Sequence, residues 1–428
     1  MRIIITCCCL SLCLLGQLRN VDGSTCGSSM AAAPQSANRS DNPTGASSAL
    51  VISRTVISSA EQITLRSKIL GEDRNVFVAL PASYAGSNEK YPVLYLTDAQ
   101  FFFDQTRSSA AFLARERIIP DVIVVGVTNP DRTRDLYATK ADFKRDGLTI
   151  PFPHSGNADQ FLEFIAKELI PWTENSYRTS GLRILAGVSA GGNFALHTAR
   201  TKPGLFQGLI VASPWLAWDD RKELEALLPF LATPGFQVRG LFLSYATEGP
   251  EMEANVEAIL AALRSRNDPS LHWTSRSYPD ETHDTTVFKS YYDGLRTIFT
   301  GWDYPRDPKT NLLVGSLEDL KAHYAKLGPR LGTSFDPPER IVNELGYQYL
   351  RTGSLAPAVA AFRFNVAQHP ESANAWDSLG EGLERLGKRD EALASYRKAV
   401  ALAESNHLPS VDTFRQHLSR LNAVAPRN

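Results

Sequence analysis

Gly187-Val188-Ser189-Ala190-Gly191 sets a hydroxyl between two glycines, after the short apolar run 184–186 and before a helical pattern at 193–201. Glycines at this spacing allow a strained strand-to-helix turn that pushes a serine side chain clear of the backbone. The helix that follows would aim its unpaired N-terminal amides at a developing oxyanion. The chemistry indicated is acyl transfer through a serine nucleophile, and such a serine needs a base. His154 precedes Ser189, the wrong order for the base, while His197, on the helix after it, and His272, in the strand pattern 271–278, read as structural. His283 follows that last strand, in Pro279-Asp280-Glu281-Thr282-His283-Asp284, and is the expected base. Its orienting acid is expected after residues 241–245, where Glu248 is the first carboxylate and Glu251 and Glu253 are near enough to compete.

Those groups need a scaffold. Runs at 93–96, 122–127, 184–186, 209–211 and 241–243 are short and nearly all apolar. Strands apolar on both faces belong in a sheet covered by helices on both sides. Helical patterns lie between them, notably Phe161, Phe164, Ile165, Leu169 and Trp172. The alternation predicts an α/β fold with a mostly parallel sheet, and the order Ser, acid, His is that of an α/β-hydrolase. Earlier β-rich runs at 51–58, 62–70 and 75–80 would form its antiparallel beginning.

After Trp302 the pattern changes. Tyr304-Pro305-Arg306-Asp307-Pro308 reads as a break, and from Pro338 the sequence repeats every 34 residues. Leu345-Gly346 recurs as Leu379-Gly380, Tyr349 as Leu383, Gly353 as Gly387, Ala358 as Ala392 and Phe362 as Tyr396. This pattern resembles two tetratricopeptide repeats, whose small residues at close helix crossings face large ones. Amphipathic stretches at 317–327 and 411–421 are the expected caps, because two such units cannot bury their apolar faces alone.

The formal net charge of −1 offers no electrostatic reason to expect nucleic acid or an anionic membrane as partner. Arg2 precedes a run from Ile3 to Leu15 that is too short to span a bilayer and fits a secretory signal, so export to the periplasm or medium is expected. All five cysteines lie within the first 26 residues. Gly23 stands where bacterial lipoproteins usually carry an aliphatic residue, which argues against lipid attachment at Cys26. From Gly27 onward no thiol remains for a disulfide, a thiolate metal site or a cysteine nucleophile. The expected organisation is a signal peptide at 1–30, a flexible linker at 31–50, an α/β-hydrolase domain at 51–303, a connecting segment with a helix at 304–338, and a repeat module at 339–425.

Three segments resemble a known family. Tyr91-Pro92-Val93-Leu94-Tyr95-Leu96-Thr97-Asp98, Val124-Val125-Gly126-Val127-Thr128-Asn129-Pro130-Asp131-Arg132-Thr133-Arg134-Asp135 and Ala212-Ser213-Pro214-Trp215-Leu216-Ala217-Trp218-Asp219 are similar to ordered motifs of the putative-esterase family. That family contains S-formylglutathione hydrolases, trilactone siderophore esterases, feruloyl esterases and antigen 85 mycolyltransferases. The second segment is most like the siderophore-esterase branch. The resemblance implies an oxyanion hole made by the backbone amides of Gln100 and Ala190. This chain has Ala99 where relatives usually carry glycine, Thr97 in place of an aliphatic residue, and Ala246 where glycine often precedes the acid. Trp215 and Trp218 could wall an acyl or aromatic pocket or belong to the core. Arg132 and Arg134 could hold a substrate carboxylate or phenolate, or be solvated or ion-paired.

The leading expectation is therefore a serine esterase acting on a small-molecule ester, with no metal or organic cofactor required. Siderophore lactones, feruloyl sugars and simple acyl esters are open as substrates, and acyl transfer to an alcohol uses the same chemistry. The competing expectation is a protein that captures a peptide or protein partner on its repeats, with an inert hydrolase scaffold.

Overall fold

The computed structural model describes residues 60–145, 148–266 and 268–423. The predicted run at 51–58, the linker and the signal segment lie outside the described residues. Ten strands are present among them: β1 Glu61–Arg66, β2 Asp73–Ala79, β3 Tyr91–Leu96, β4 Ile123–Val127, β5 Phe143–Arg145, β6 Leu148–Ile150, β7 Thr179–Val188, β8 Gly208–Ala212, β9 Gly240–Ala246 and β10 His272–Tyr278. Eight of them form one sheet in the order β1-β2-β4-β3-β7-β8-β9-β10. The β1–β2 and β2–β4 pairs are antiparallel, whereas β4, β3, β7, β8, β9 and β10 run parallel. The antiparallel start and the parallel continuation match the expectation from apolar patterning.

Period-2 alternation decides which face each side chain serves. Tyr91, Val93 and Tyr95 of β3 and Leu209 and Val211 of β8 enter one core, under helices Ala158–Phe164, Ala190–Thr201, Lys222–Leu231 and Pro250–Ser265. Leu94, Leu96, Ile210 and Ala212 enter the other, under helices Ala99–Arg115 and Thr286–Ile298. Every residue of β3, β4 and β8 is buried, while the edge strand β1 is mostly exposed and β10 is mostly half-buried. The predicted helix around Phe161 continues from Ala158–Phe164 through a π-helical turn, Ile165–Leu169, into Ile170–Ser176. The antiparallel hairpin β5–β6 was not foreseen from the sequence.

The C-terminal region is all helical. Leu317–Leu331 precedes two helical pairs, Glu339–Arg351 with Leu355–Gln368 and Ala373–Arg385 with Arg389–Ser405, and Val411–Ala423 closes the stack. The small-against-large pairing is present: a Cβ on Gly346 would collide with the Phe362 ring, and one on Gly380 with the Tyr396 ring. The first repeat does not stand apart from the sheet. Ile341, Val342, Leu345 and Ala361 share one buried cluster with Trp302, Tyr324 and the sheet residue Leu94. Arg306 forks onto Glu344 at 2.6 and 3.0 Å, and the Gln348 amide exchanges two hydrogen bonds with the Leu313 backbone, both at 2.9 Å. No helix among the described residues is long and apolar enough to cross a membrane.

Because this core is shared, Val342→Asp, which buries an unpaired charge, is expected to lower the melting temperature of the whole protein by roughly 5 °C or more. A single cooperative transition in calorimetry is the expected form. Loss of a separate helical transition, with the remainder unmoved, would show that the repeats fold on their own.

Candidate active site

The parallel strands deliver their C-terminal ends to one edge of the sheet, where an α/β fold presents its ligand crevice. Ser189 stands at the end of β7, between Val188 and the helix Ala190–Thr201. Its backbone holds φ 57 and ψ −118, a conformation few side chains adopt. Close packing requires the flanking glycines. A Cβ on Gly187 would overlap the Gly191 carbonyl, and one on Gly191 would overlap the Thr97 hydroxyl. The turn is pinned by hydrogen bonds: Ser189 N–H donates to the Ala212 carbonyl, and its own carbonyl accepts from the amides of Asn193 and Trp215, each at 3.0 Å.

The candidate acid and base reach the same edge from later strands. Glu248 follows β9 and His283 follows β10. His283 Nδ1 lies 2.6 Å from Glu248 Oε1, and both side chains are well covered, at 12% and 5% exposure. Of the three competing carboxylates, geometry therefore selects Glu248. Glu251 and Glu253 fall in the first turn of the helix Pro250–Ser265. An Nδ1 engaged by a carboxylate leaves Nε2 as the ring nitrogen for proton transfer. His197 is structural, as expected: it is buried, with Nε2 2.8 Å from Asp159 and Nδ1 3.0 Å from Glu223. Burial alone would depress its pKa, but the two carboxylates hold it above the usual value.

Ala190 opens the nucleophile helix, and Gln100 is second in the helix Ala99–Arg115. Amides in the first turn of a helix have no intrahelical acceptor, so both are of the type that binds an oxyanion. The Gln100 side chain turns instead to the Asn129 backbone, its Nε2 donating to the carbonyl at 3.3 Å and its Oε1 accepting from the amide at 3.2 Å.

For two of the candidate substrate-binding residues the structure shows partners within the protein. Trp218 is buried, stacked on Tyr137 at 4.1 Å with 5° between planes, and its Nε1 donates to the Thr139 carbonyl at 3.0 Å. It is core. Arg132 grips Asp98 with both arms of its guanidinium, at 2.8 and 3.1 Å. Its fork is committed to a protein carboxylate. Arg134 is likewise ion-paired, with Glu72 and Asp135. Trp215 remains half-buried beside the nucleophile turn, near Phe143 of the unforeseen hairpin at 6.0 Å between rings.

Sequence reasoning missed a buried charge network behind the site. Arg74, on β2 and 1% exposed, binds Asp135 through two hydrogen bonds of 2.7 and 2.9 Å and pairs with Glu72. Asp135 accepts from Asn129 Nδ2 at 3.1 Å, and Asn129 Oδ1 accepts the Asp98 amide at 2.9 Å. Burial would raise the pKa of Glu72, yet Arg134 and Arg74 hold it below the ordinary carboxylate range. One signal was available: an arginine placed immediately before the β-rich run at 75–80.

Fold and site together define an α/β-hydrolase core carrying a serine turn and a histidine–glutamate pair at one sheet edge. Residues 67–278 match the family described as "Putative esterase" and 373–406 the family described as "Tetratricopeptide repeat". The chain is 33% identical over 144 residues to the ferri-bacillibactin esterase of Bacillus subtilis, covering 30% of this chain and 49% of that protein. It is 26% identical over 242 residues to the siderophore triacetylfusarinine C esterase of Aspergillus fumigatus, covering 50% and 83%. It thus spans about half the length of the first of these relatives. Among solved structures, an IroE-like serine hydrolase from Shewanella oneidensis superposes with TM-score 0.62 and 29% identity, covering 69% of this chain and 95% of that one.

The strained turn yields a direct test. Ser189→Gly relieves the backbone conformation and Ser189→Ala does not, so the glycine variant is expected to be the more stable by about 1 kcal/mol. Denaturant titration of the two variants measures the difference.

Proposed function

We propose that this protein is a serine hydrolase of carboxylic esters. The observation that carries the reading is the His283–Glu248 contact of 2.6 Å at the sheet edge that also presents the Ser189 turn. Ser189 Oγ attacks the ester carbonyl and His283 Nε2 takes its proton. Glu248 holds the ring and balances the imidazolium, and the amides of Ala190 and Gln100 receive the oxyanion. His283 then returns the proton to the departing alkoxide. A water molecule activated by the same imidazole cleaves the acyl-enzyme, releasing the acid and restoring the serine.

Siderophore lactones are the substrates this reading favours, because relatives of this segment are named as esterases of ferri-bacillibactin and of triacetylfusarinine C. The apolar run after Arg2 supports a second part of the proposal, that the protein is exported and this segment removed. N-terminal sequencing of protein secreted by the native cell would test that part. The first repeat shares its core with the hydrolase body, which supports a bracing role for the module. A peptide or protein partner at the repeats remains a proposal for their outer surface.

Purified protein is expected to release nitrophenol from short-chain esters, and Ser189→Ala to lose at least ~10³-fold in kcat. Glu248→Ala should lose roughly 10²-fold or more by leaving the imidazole unoriented, while Glu251→Ala and Glu253→Ala stay within about twofold of the parent. Steady-state kinetics on the four variants decides the assignment. Undiminished turnover in Ser189→Ala would end the proposal.

A further inference from the structure

We infer that Arg132 and Asp98 form a charge-compensating pair that keeps the oxyanion hole receptive to negative charge. The inference rests on the esterase reading above and assigns Arg132 a role other than contact with substrate.

Asp98 lies in the two-residue link between β3 and the helix Ala99–Arg115. It caps the helix Ala99–Arg115 from a left-handed conformation, φ 55 and ψ 37, and its side chain is wholly buried. Its carboxylate makes no cap hydrogen bond to that helix. It turns toward the nucleophile instead: a methyl group placed on Gly191 would stand 3.4 Å from Asp98 Oδ2. The carboxylate thus precedes one proposed oxyanion donor, Gln100, by two residues and lies against the residue that follows the other, Ala190. Tyr291 approaches from the helix Thr286–Ile298, within electrostatic reach of both Asp98 and Arg132. A full negative charge buried there would oppose the charge that grows on the substrate oxygen, and a low-dielectric setting magnifies the opposition. Arg132 removes it. Nε and Nη2 engage the two carboxylate oxygens at 2.8 and 3.1 Å, the bidentate geometry that a planar guanidinium allows.

Position is fixed from the other side as well. The Asp98 amide donates to Asn129 Oδ1, Asn129 Nδ2 donates to Asp135, and Asp135 is locked to the buried Arg74. Asn129 lies in the loop after β4 and Arg132 opens the short helix Arg132–Leu136 that follows it, so one segment holds the backbone of Asp98 and neutralises its side chain at once. Arg132 acts on the reaction through Asp98. It is a positioning residue.

This arrangement predicts an effect on kcat and little on KM. The experiment compares the full-length parent with Arg132→Gln, Arg132→Lys and the double variant Arg132→Gln/Asp98→Asn, using a neutral short-chain nitrophenyl ester and an anionic one. Inhibition by an alkylboronic acid, which forms a tetrahedral anion on the serine, is measured on each. Arg132→Gln is expected to lose kcat by roughly 10²-fold, the scale of losing one oxyanion donor, with KM within about threefold for both esters. Boronate affinity should fall by a similar factor. Removing the stranded charge in the double variant should restore at least ~10-fold of each loss, and Arg132→Lys, which keeps the cation, should stay within ~10-fold of the parent. A purely structural clamp would lower the melting temperature without moving boronate affinity relative to KM.

Three results overturn the inference: kcat in Arg132→Gln within threefold of the parent, no recovery in the double variant, or a rise in KM confined to the anionic ester, which would make Arg132 a substrate contact. Should Arg132→Gln fail to fold, the other two variants carry the test, and a ~10²-fold loss of kcat in either one, folded, is equally fatal. The underlying reading fails separately. A parent protein with neither ester turnover nor boronate binding is not a serine esterase, whatever its variants do.

Discussion

The site depends on how closely two glycine-bearing segments can approach. Gly187 lies against the carbonyl of Gly191, and Gly191 lies against Thr97, so strand β7, the nucleophile helix and the loop after β3 meet with no room for a side chain. That crowding forces Ser189 into a backbone conformation which costs on the order of 1–3 kcal/mol. The cost is offset locally: the Ser189 amide and carbonyl are both bonded, and the Trp215 carbonyl is held in turn by the Asn193 side chain. Around this sit fully buried strands that fix the ends of the turn. The same approach that strains the serine also sets Gly191, next to Ala190, against Thr97 and Asp98, which precede Gln100.

Charge is placed around that constraint with care. Arg74, Asp135 and Asp98 are all essentially inaccessible to solvent, and ions so buried are tolerated only when paired and hydrogen-bonded. Here each has a partner within hydrogen-bond distance, and neutral Asn129 joins the two ion pairs. Replacing such a network by apolar groups often leaves stability unchanged or improved. Its value therefore lies in geometry: it fixes a loop that no apolar contact could orient to a fraction of an ångström.

What could be read from the sequence follows from how local each signal is. The serine turn was legible because its glycines, strand and helix are contiguous. His283 was legible because chain order leaves one histidine between the last strand and the break after Trp302. Glu248, Glu251 and Glu253 could not be separated by spacing, since the choice depends on where Gly249, at φ 97, and Pro250 start the next helix. Trp218 and Arg132 stayed open between two readings for a related reason. Their partners, Tyr137, Thr139 and Asp98, lie 34 to 81 positions away, and no periodicity announces such a pairing. The β5–β6 hairpin escaped because three-residue strands are too short to display alternation. The parallel sheet itself was plain, because strands buried on both faces must be apolar throughout.

The repeats show the same logic on a larger scale. Two helical pairs have two end faces, and each must be covered or polar. Val411–Ala423 covers one, burying Phe414 and Leu421 against the last repeat. At the other end the neighbour is no further repeat. Ile341, Val342 and Leu345 turn into a cluster with Tyr324 and Leu327 of the preceding helix and Trp302 of the hydrolase body. The amide of Glu339, at the start of the first repeat helix, is capped by the carboxylate of Glu89 from the segment leading into β3. An array too short to be stable alone is thus completed by a surface of a different fold. The helix Leu317–Leu331, read from sequence as a cap, is the adapter between them: its Leu320 and Tyr324 are buried in the cluster that contains both parts.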